Sequence, residues 1–451
     1  MTADGPIRII GSWGALSGDE RRRITTRGLD KIFDPGLRDE IALLIEDVRV
    51  NGDAALVRAL KDFDRCDVEA SRLRVSDAEF AAARASISPA LLAAIHDGID
   101  HVRRFNEQVM TRGDWSFESE PGLRVGEKVT PIVSAGLFVP SGKASYPSVM
   151  IQLGTPAIVA GVPEIAVIVP PVPGSGGEVD SALLVAAAEL GITNVFRSNG
   201  PAGIAALAFG TETVPRVRKV VGPGSPAVTC AQVEVQRYGT VTNMLIGPSE
   251  CLIIADDSAN PRLLAADLLN EAEHGPDSSS ILVTDSEGLL ADAQDEVRRQ
   301  LADLPEPRRA YAAAALGVNG GAILVRDMSE AAEVANVYAA EHMQIAVRDA
   351  DGLLAQLRNA GEILVGQWTP VSAANFIIGC PASLPTSGFA VVSSGITADA
   401  FRKRTAVARA DQRALTRMSE SIIAFTQHEG FPAHEAAVRI RLQDQGRGRQ
   451  A

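Results

Sequence analysis

From residue 129 to about residue 392 the chain alternates short β-branched runs with Ala- and Leu-rich stretches, and this alternation limits the possible folds more than any other feature. VSAGLFVP, EIAVIVPP, NVFRSN and RKVVGPG are strand-like runs bounded by Gly and Pro, while VDSALLVAAAELG and AGIAALAFG between them have helical character. A second series follows: SECLIIADD, SSSILVTD, GGAILVRD, MQIAVRD and GEILVGQ, separated by PRLLAADLLNEAE, LLADAQDEVRRQLADL, MSEAAEVANVYAAE and LLAQLRNA. Strands joined by crossover helices run parallel, and their continuous apolar runs mark burial on both faces. The expected class is α/β, with parallel-sheet lobes at residues 129–246 and 247–392.

A mainly helical region, residues 1–128, precedes the lobes; IALLIEDVRVNGDAALVRALKDF and SPALLAAIHDGIDHVRRFNEQV repeat apolar residues at three- and four-residue steps. Residues 393–451 are expected to form a helical tail through DAFRKRTAVA, QRALTRMSESIIAFTQHEG and AHEAAVRIRLQ, ending in a disordered Gly446-Arg447-Gly448-Arg449 run. The long apolar stretch at residues 153–172 carries Pro156, Pro163, Glu164, Pro170 and Pro171, so it is expected to be a strand-rich core segment and not a membrane span.

Basic residues number 43 and acidic residues 56, a net charge of -13, which opposes attraction to nucleic-acid phosphates or anionic lipid. No nucleic-acid or membrane partner is expected. Cys66, Cys230, Cys251 and Cys380 lie far apart without CxxC spacing, and the N-terminus has no secretory pattern; both fit a cytoplasmic protein with reduced thiols.

Histidine is scarce, 6 in the chain, so the position of each matters. His96 and His101 lie in a helical stretch with no partner at ligand spacing and read as structural or solvated. In EAEHGPDS, residues 271–278, Glu271 and His274 project from one helix face, as two ligands of one metal ion must, although solvated surface gives the same pattern. Glu341-His342 sets a carboxylate beside an imidazole, two proton acceptors of different basicity. His428-Glu429 and His434 form a third cluster. The usual dinucleotide fingerprint is missing: Gly222-Pro223-Gly224-Ser225 and Gly174-Ser175-Gly176-Gly177 follow strands with the wrong spacing, and either serves equally well as a turn.

Taken in order, Phe138-Val139-Pro140-Ser141-Gly142-Lys143 with Tyr146-Pro147-Ser148, VGPG at 221–224, GPSE at 247–250, AEHGPDS, AEHM, LPTSGFA with SSG, and HEGFPAH resemble the histidinol dehydrogenases over residues 27–442. The resemblance implies two incomplete Rossmann-like lobes with parallel sheets, a helical N-terminal segment and a helical C-terminal dimerisation tail. It implies a homodimer with shared active sites, in which the tail completes the partner's site. It also implies zinc and NAD, and oxidation of a primary alcohol through a bound aldehyde to a carboxylate.

Carried over residue by residue, the resemblance makes Glu271, His274, Asn375 and His434 the zinc ligands, His342 the general base and Glu341 the carboxylate that activates water for the second oxidation. Ser249 and Glu429 match substrate contacts; in the cofactor region Pro140 is retained, Phe138 stands where the family commonly has Tyr, and Ala202 and Ser225 replace a Gln and an Asn. Two ligands depart from the family pattern, Glu271 standing for Gln and Asn375 for Asp. One carboxylate, one amide and two imidazoles remain, so the charge is kept, and the site is expected to be rearranged and not lost.

In Cys380-Pro381-Ala382, Ala382 replaces a pocket histidine, which removes a hydrogen-bonding group and opens volume. The expected function is zinc- and NAD-dependent oxidation of a small polar primary alcohol, with L-histidinol to L-histidine as the reference reaction. The alternatives are a paralogue acting on a polyol, amino alcohol or sulfonated diol, in one two-electron step or two, and a non-catalytic ligand-binding relic.

Overall fold

The computed structural model describes residues 5–27, 34–141, 145–244 and 246–443; Gly142, Lys143 and the Gly446-Arg447-Gly448-Arg449 run lie outside them. The chain divides into two units, Met1–Val109 with Ile132–Phe401, and Met110–Pro131 with Arg402–Ala451.

The first unit holds two parallel sheets. One runs Val195–Arg197, Glu164–Val169, Ser134–Phe138, Lys219–Val221, Val241–Thr242, with every neighbouring pair parallel. Numbered along the chain, its order is 3-2-1-4-5, the dinucleotide-binding order without its sixth strand. The other sheet runs Ile9–Ser12, Gly321–Leu324, Ser279–Thr284, Glu250–Ala255, His342–Ala346, Glu362–Val365. Without Ile9–Ser12 it repeats the 3-2-1-4-5 order, so two incomplete Rossmann-like lobes are present.

The central strands are buried along their whole length, as Glu250–Ala255 and Ser279–Thr284 show. Leu252, Ile254, Ile281 and Val283 pack on one face and Cys251, Ile253 and Leu282 on the other. At about 1.5–3 kcal/mol per buried branched aliphatic side chain, these rows dominate the stability of the lobe. Two of its crossover helices start on polar caps: the side chain of Asn260 accepts from Arg262 N ahead of Pro261–Ala272, and Asp327 accepts from Glu330 N ahead of Met328–Tyr338.

The second unit is a three-stranded antiparallel sheet, Arg402–Ala410, Leu123–Pro131, Trp115–Glu120, with the helices Gln412–His428 and Pro432–Gln443.

Three sequence expectations are corrected. DAFRKRTAVA is not a helix but a short turn of 3-10 helix followed by the strand Arg402–Ala410, paired residue for residue with Leu123–Pro131. That strand is exposed on both faces, so no apolar row marks it, and partner hydrogen bonds override local propensity. Within residues 153–172 only Glu164–Val169 is a strand; Pro147–Val159 is a helix with Pro156 inside it. Every residue from Met150 to Ala157 is buried, which offsets the roughly 3 kcal/mol cost of an interior proline. In the N-terminal region Ile9–Ser12 is a parallel edge strand of the second lobe, drawn there by its apolar run, and the hairpin of the second unit occupies residues 115–131.

Candidate active site

The chemistry-bearing residues gather at the amino edge of the six-stranded sheet. Glu250, Ser279, His342 and Glu362 are the first residues of four parallel strands, and the register pairs His342 with Cys251 on one side and Glu362 on the other. The crossover helix Pro261–Ala272 runs back towards this edge and carries Glu271 in its last turn; His274 lies not on the helix face, as expected, but in the turn after the C-cap Glu273, and the short helix Val371–Phe376 brings Asn375.

Glu271 is 1% exposed; its Oε1 accepts a 2.7 Å hydrogen bond from Asn375 Nδ2, and its Oε2 lies 3.4 Å from His274 Nδ1. That nitrogen is buried without a hydrogen-bond partner among the described residues. Three of the four ligands expected from the sequence are therefore together in the first unit. Among the described residues no three His, Cys, Asp or Glu side chains form a metal-binding group, because the third member here is an amide. His434 and Glu429 belong to the second unit, where both are exposed and the His434 ring lies 5.2 Å from Phe431.

Glu341 and His342 are buried at the head of their strand, with Glu341 Oε1 3.8 Å from His342 Nε2. Glu341 Oε2 accepts the backbone N–H of Glu250 at 3.0 Å. His342 Nδ1 is 2.6 Å from Glu362 Oε1. Burial pushes the Glu341 carboxyl up to about 8; the adjacent imidazole works against this and the charge of Glu271 adds to it. Burial opposes charge on His342, but the carboxylates of Glu271, Glu341 and Glu362 outweigh it and push the imidazole up to about 10.

Arg27 and Glu250 brace the pair from behind. The guanidinium is 2.7 Å from Glu250 Oε2, donates to the Tyr338 carbonyl at 2.8 Å and stacks 3.5 Å over the Tyr338 ring. Burial raises the Glu250 carboxyl, and Arg27 opposes that rise. Ser387 N–H donates to Glu250 Oε1; Ser387 sits at φ +56°, and its buried hydroxyl has no hydrogen-bond partner among the described residues.

Glu250, Asp267, Glu271, Glu341 and Glu362 thus place five carboxylates in the interior of one lobe. The cationic side chains facing them are Arg27 and, when protonated, His342 and His274. Protons held on Glu341 and His342, and the Arg27 guanidinium, offset part of this charge, and a cation joining Glu271 would offset more. With the unpaired His274 nitrogen and an amide that can turn its oxygen inward, the donor set fits a divalent, nitrogen- and oxygen-liking ion such as zinc.

The cofactor candidates lie at the carboxyl edge of the five-stranded sheet, where its first and fourth strands flank the switch in strand order. Phe138 ends the first strand and is buried, its ring filling the space beside Gly200 and Gly224. Gly222, after the fourth strand, has φ +140°, and a Cβ there would stand 2.1 Å from the Phe138 carbonyl oxygen, so only glycine fits. Ala202 is fully buried in the core of the lobe, and the Ser225 hydroxyl caps the helix Pro226–Glu234. Pro140 and Ser249 are half-buried; the Ser249 carbonyl accepts Ser279 N–H at 3.0 Å. Ala382, half-buried, donates its N–H to Gln152 Oε1 at 3.4 Å.

The family model for histidinol dehydrogenase matches residues 31–442. The chain belongs to the histidinol dehydrogenase family. It is 39% identical over 430 residues to a histidinol dehydrogenase homolog of Colwellia psychrerythraea, covering 94% of each chain. It is 36% identical over 428 residues to the histidinol dehydrogenase of Methanosarcina mazei, covering 95% of this chain and 96% of that one. The crystal structure of the enzyme from Elizabethkingia anophelis superposes with a TM-score of 0.92 at 30% identity, over 98% of this chain and 99% of that one. Histidinol dehydrogenases are NAD-dependent oxidoreductases acting on CH–OH groups.

Sequence reasoning missed Glu362 and Arg27. The signal for Glu362 was a lone charge opening the apolar run GEILVGQ. Among the described residues no single helix is long and apolar enough to cross a membrane.

Proposed function

We propose that this chain oxidises a small polar primary alcohol to the carboxylic acid with NAD as electron acceptor, using zinc held by Glu271, His274 and Asn375. In this reading His434, exposed in the second unit, supplies the fourth ligand to the partner's site in a cytoplasmic homodimer, and Glu429 supplies a substrate contact. The observation that carries the proposal is the buried Glu341-His342 pair standing beside the Glu271, His274 and Asn375 cluster at one sheet edge.

When bound, zinc supplies Lewis-acid polarisation of the substrate oxygen, and NAD supplies the hydride acceptor. His342 takes the hydroxyl proton. Its basicity depends on Glu271, the strongest charge holding it protonated; once that carboxylate is engaged by a cation, the imidazole falls towards the range of a working base. Glu341 is fixed by the Glu250 amide with one oxygen towards His342, placed to accept a proton from water in the second oxidation.

Ala382 offers no imidazole to the substrate, which points to an alcohol other than L-histidinol. The test is initial NADH formation with zinc-loaded protein and a panel of L-histidinol, aliphatic amino alcohols, polyols and sulfonated diols. An alcohol without an imidazole should turn over faster than L-histidinol; no turnover of any member refutes the proposal.

A further inference from the structure

Glu362 is a buried carboxylate to which no role has been given so far. It opens the strand Glu362–Val365 directly opposite His342 in a parallel register, so both side chains leave the same face of neighbouring strands, about 4.8 Å apart. Its backbone N–H donates to the Glu341 carbonyl at 3.0 Å, which locks that register. Gly361 just before it permits the close approach: a Cβ there would lie 2.5 Å from the Glu341 carbonyl oxygen. The side chain is 6% exposed and reaches His342 Nδ1 at 2.6 Å, while its other oxygen has no hydrogen-bond partner among the described residues.

A carboxylate oxygen accepts, so the proton of the neutral imidazole is drawn to Nδ1 and the lone pair is left on Nε2, the nitrogen on the Glu341 side. We propose that Glu362 is a positioning residue that fixes the tautomer and ring plane of His342, so that Nε2 is the nitrogen offered to the substrate hydroxyl. This rests on the reading of His342 as the base. In this role Glu362 acts through the imidazole and not on the substrate, as a carboxylate behind a base does in hydrolases and metal sites.

The test uses the full-length, zinc-loaded protein and the variants Glu362→Gln and Glu362→Asp. Glu362→Gln keeps shape and volume but can turn its NH2 towards Nδ1, which moves the ring proton to Nε2. With the best alcohol of the panel, kcat should fall by about 100-fold or more, with KM within about threefold and zinc content unchanged. Glu362→Asp, which keeps the acceptor, should recover part of the rate. Independently of turnover, histidine 15N resonances should show His342 protonated at Nδ1 in the wild type and shifted towards Nε2 protonation in Glu362→Gln.

A Glu362→Gln kcat within about threefold of wild type overturns the proposal. So does a rise in KM alone, which would make Glu362 a substrate contact, or an Nε2–H tautomer in the wild type. If the wild type oxidises no alcohol, the functional reading fails while the 15N spectrum still decides the placement of the proton. If Glu362→Gln does not fold, the wild-type spectrum and the Glu362→Asp rate decide.

Discussion

Exchanging the two unusual ligands back to the family pattern tests whether the metal site has been rearranged as a unit. The perturbations are Asn375→Asp, Glu271→Gln and the two together. In the metal-free chain Asn375 donates to Glu271 at 2.7 Å in a site where Glu271 is 1% exposed. Asn375→Asp replaces that bond with two carboxylates at the same separation. At an effective dielectric of 20 their repulsion is about 6 kcal/mol before relaxation. Loss of the charged hydrogen bond adds about 1.5–3 kcal/mol. Side-chain movement and proton uptake will absorb much of this, leaving a metal-free variant destabilised by several kcal/mol, or about 5 °C or more in Tm.

Zinc placed between the two carboxylates reverses the penalty, so the rise in Tm on adding zinc should be larger in Asn375→Asp than in wild type. Glu271→Gln removes the only carboxylate of the set and should weaken zinc binding by at least about 100-fold, beyond the usual effect of losing an outer partner. The double variant restores one carboxylate and one amide and should bind zinc close to wild type. The assay is thermal melting in chelator and in excess zinc, with a chelator-competition titration for affinity. Additive single effects, or wild-type zinc affinity in Glu271→Gln, would refute the reasoning.

Other outcomes follow from the same geometry. His342→Ala should keep its zinc, measured by metal analysis, while the alcohol step slows by about 10²–10⁴-fold. Arg27→Met leaves Glu250 buried without its cation and should cost about 3–5 kcal/mol in denaturant melts, and adding Glu250→Gln should recover part of that loss. Folding raises Glu341 from 4.5 to about 8 and His342 from 6.5 to about 10, so both groups bind protons more tightly in the folded state. Their contribution is present at low pH and is lost as pH rises through those windows. Metal-free protein should therefore melt at a lower temperature at pH 9 than at pH 6, and zinc, by occupying Glu271, should flatten the difference.

Both lobes could be read from the sequence because parallel strands buried on two faces are written as runs of Ile, Val and Leu between Gly and Pro. Arg402–Ala410 could not, since a strand exposed on both faces carries no such run and is held by its partner's backbone. Pro156 misled for the opposite reason: tertiary burial kept a helix that local chemistry disfavours. Glu271 and His274 were legible because they are three residues apart in sequence, although the helix ends at Ala272 and His274 follows its C-cap Glu273. Glu341-His342 stood out as adjacent proton acceptors in the sequence, whereas Asn375 took its meaning from family resemblance alone, and the structure sets Asn375 against Glu271. Resemblance places positions without their surroundings, and Ala202 shows the difference, its methyl buried in the core. Glu362 stayed hidden because its partner is a neighbour across the sheet and not along the chain.

The most direct measurement is the number of NADH formed per alcohol consumed at completion, with zinc-loaded wild-type protein and excess NAD. Oxidation through the aldehyde to the acid predicts a ratio of two, with the carboxylate as product. A ratio of one would remove the second oxidation, and alcohol that stays unconsumed with no NADH formed would contradict the account outright.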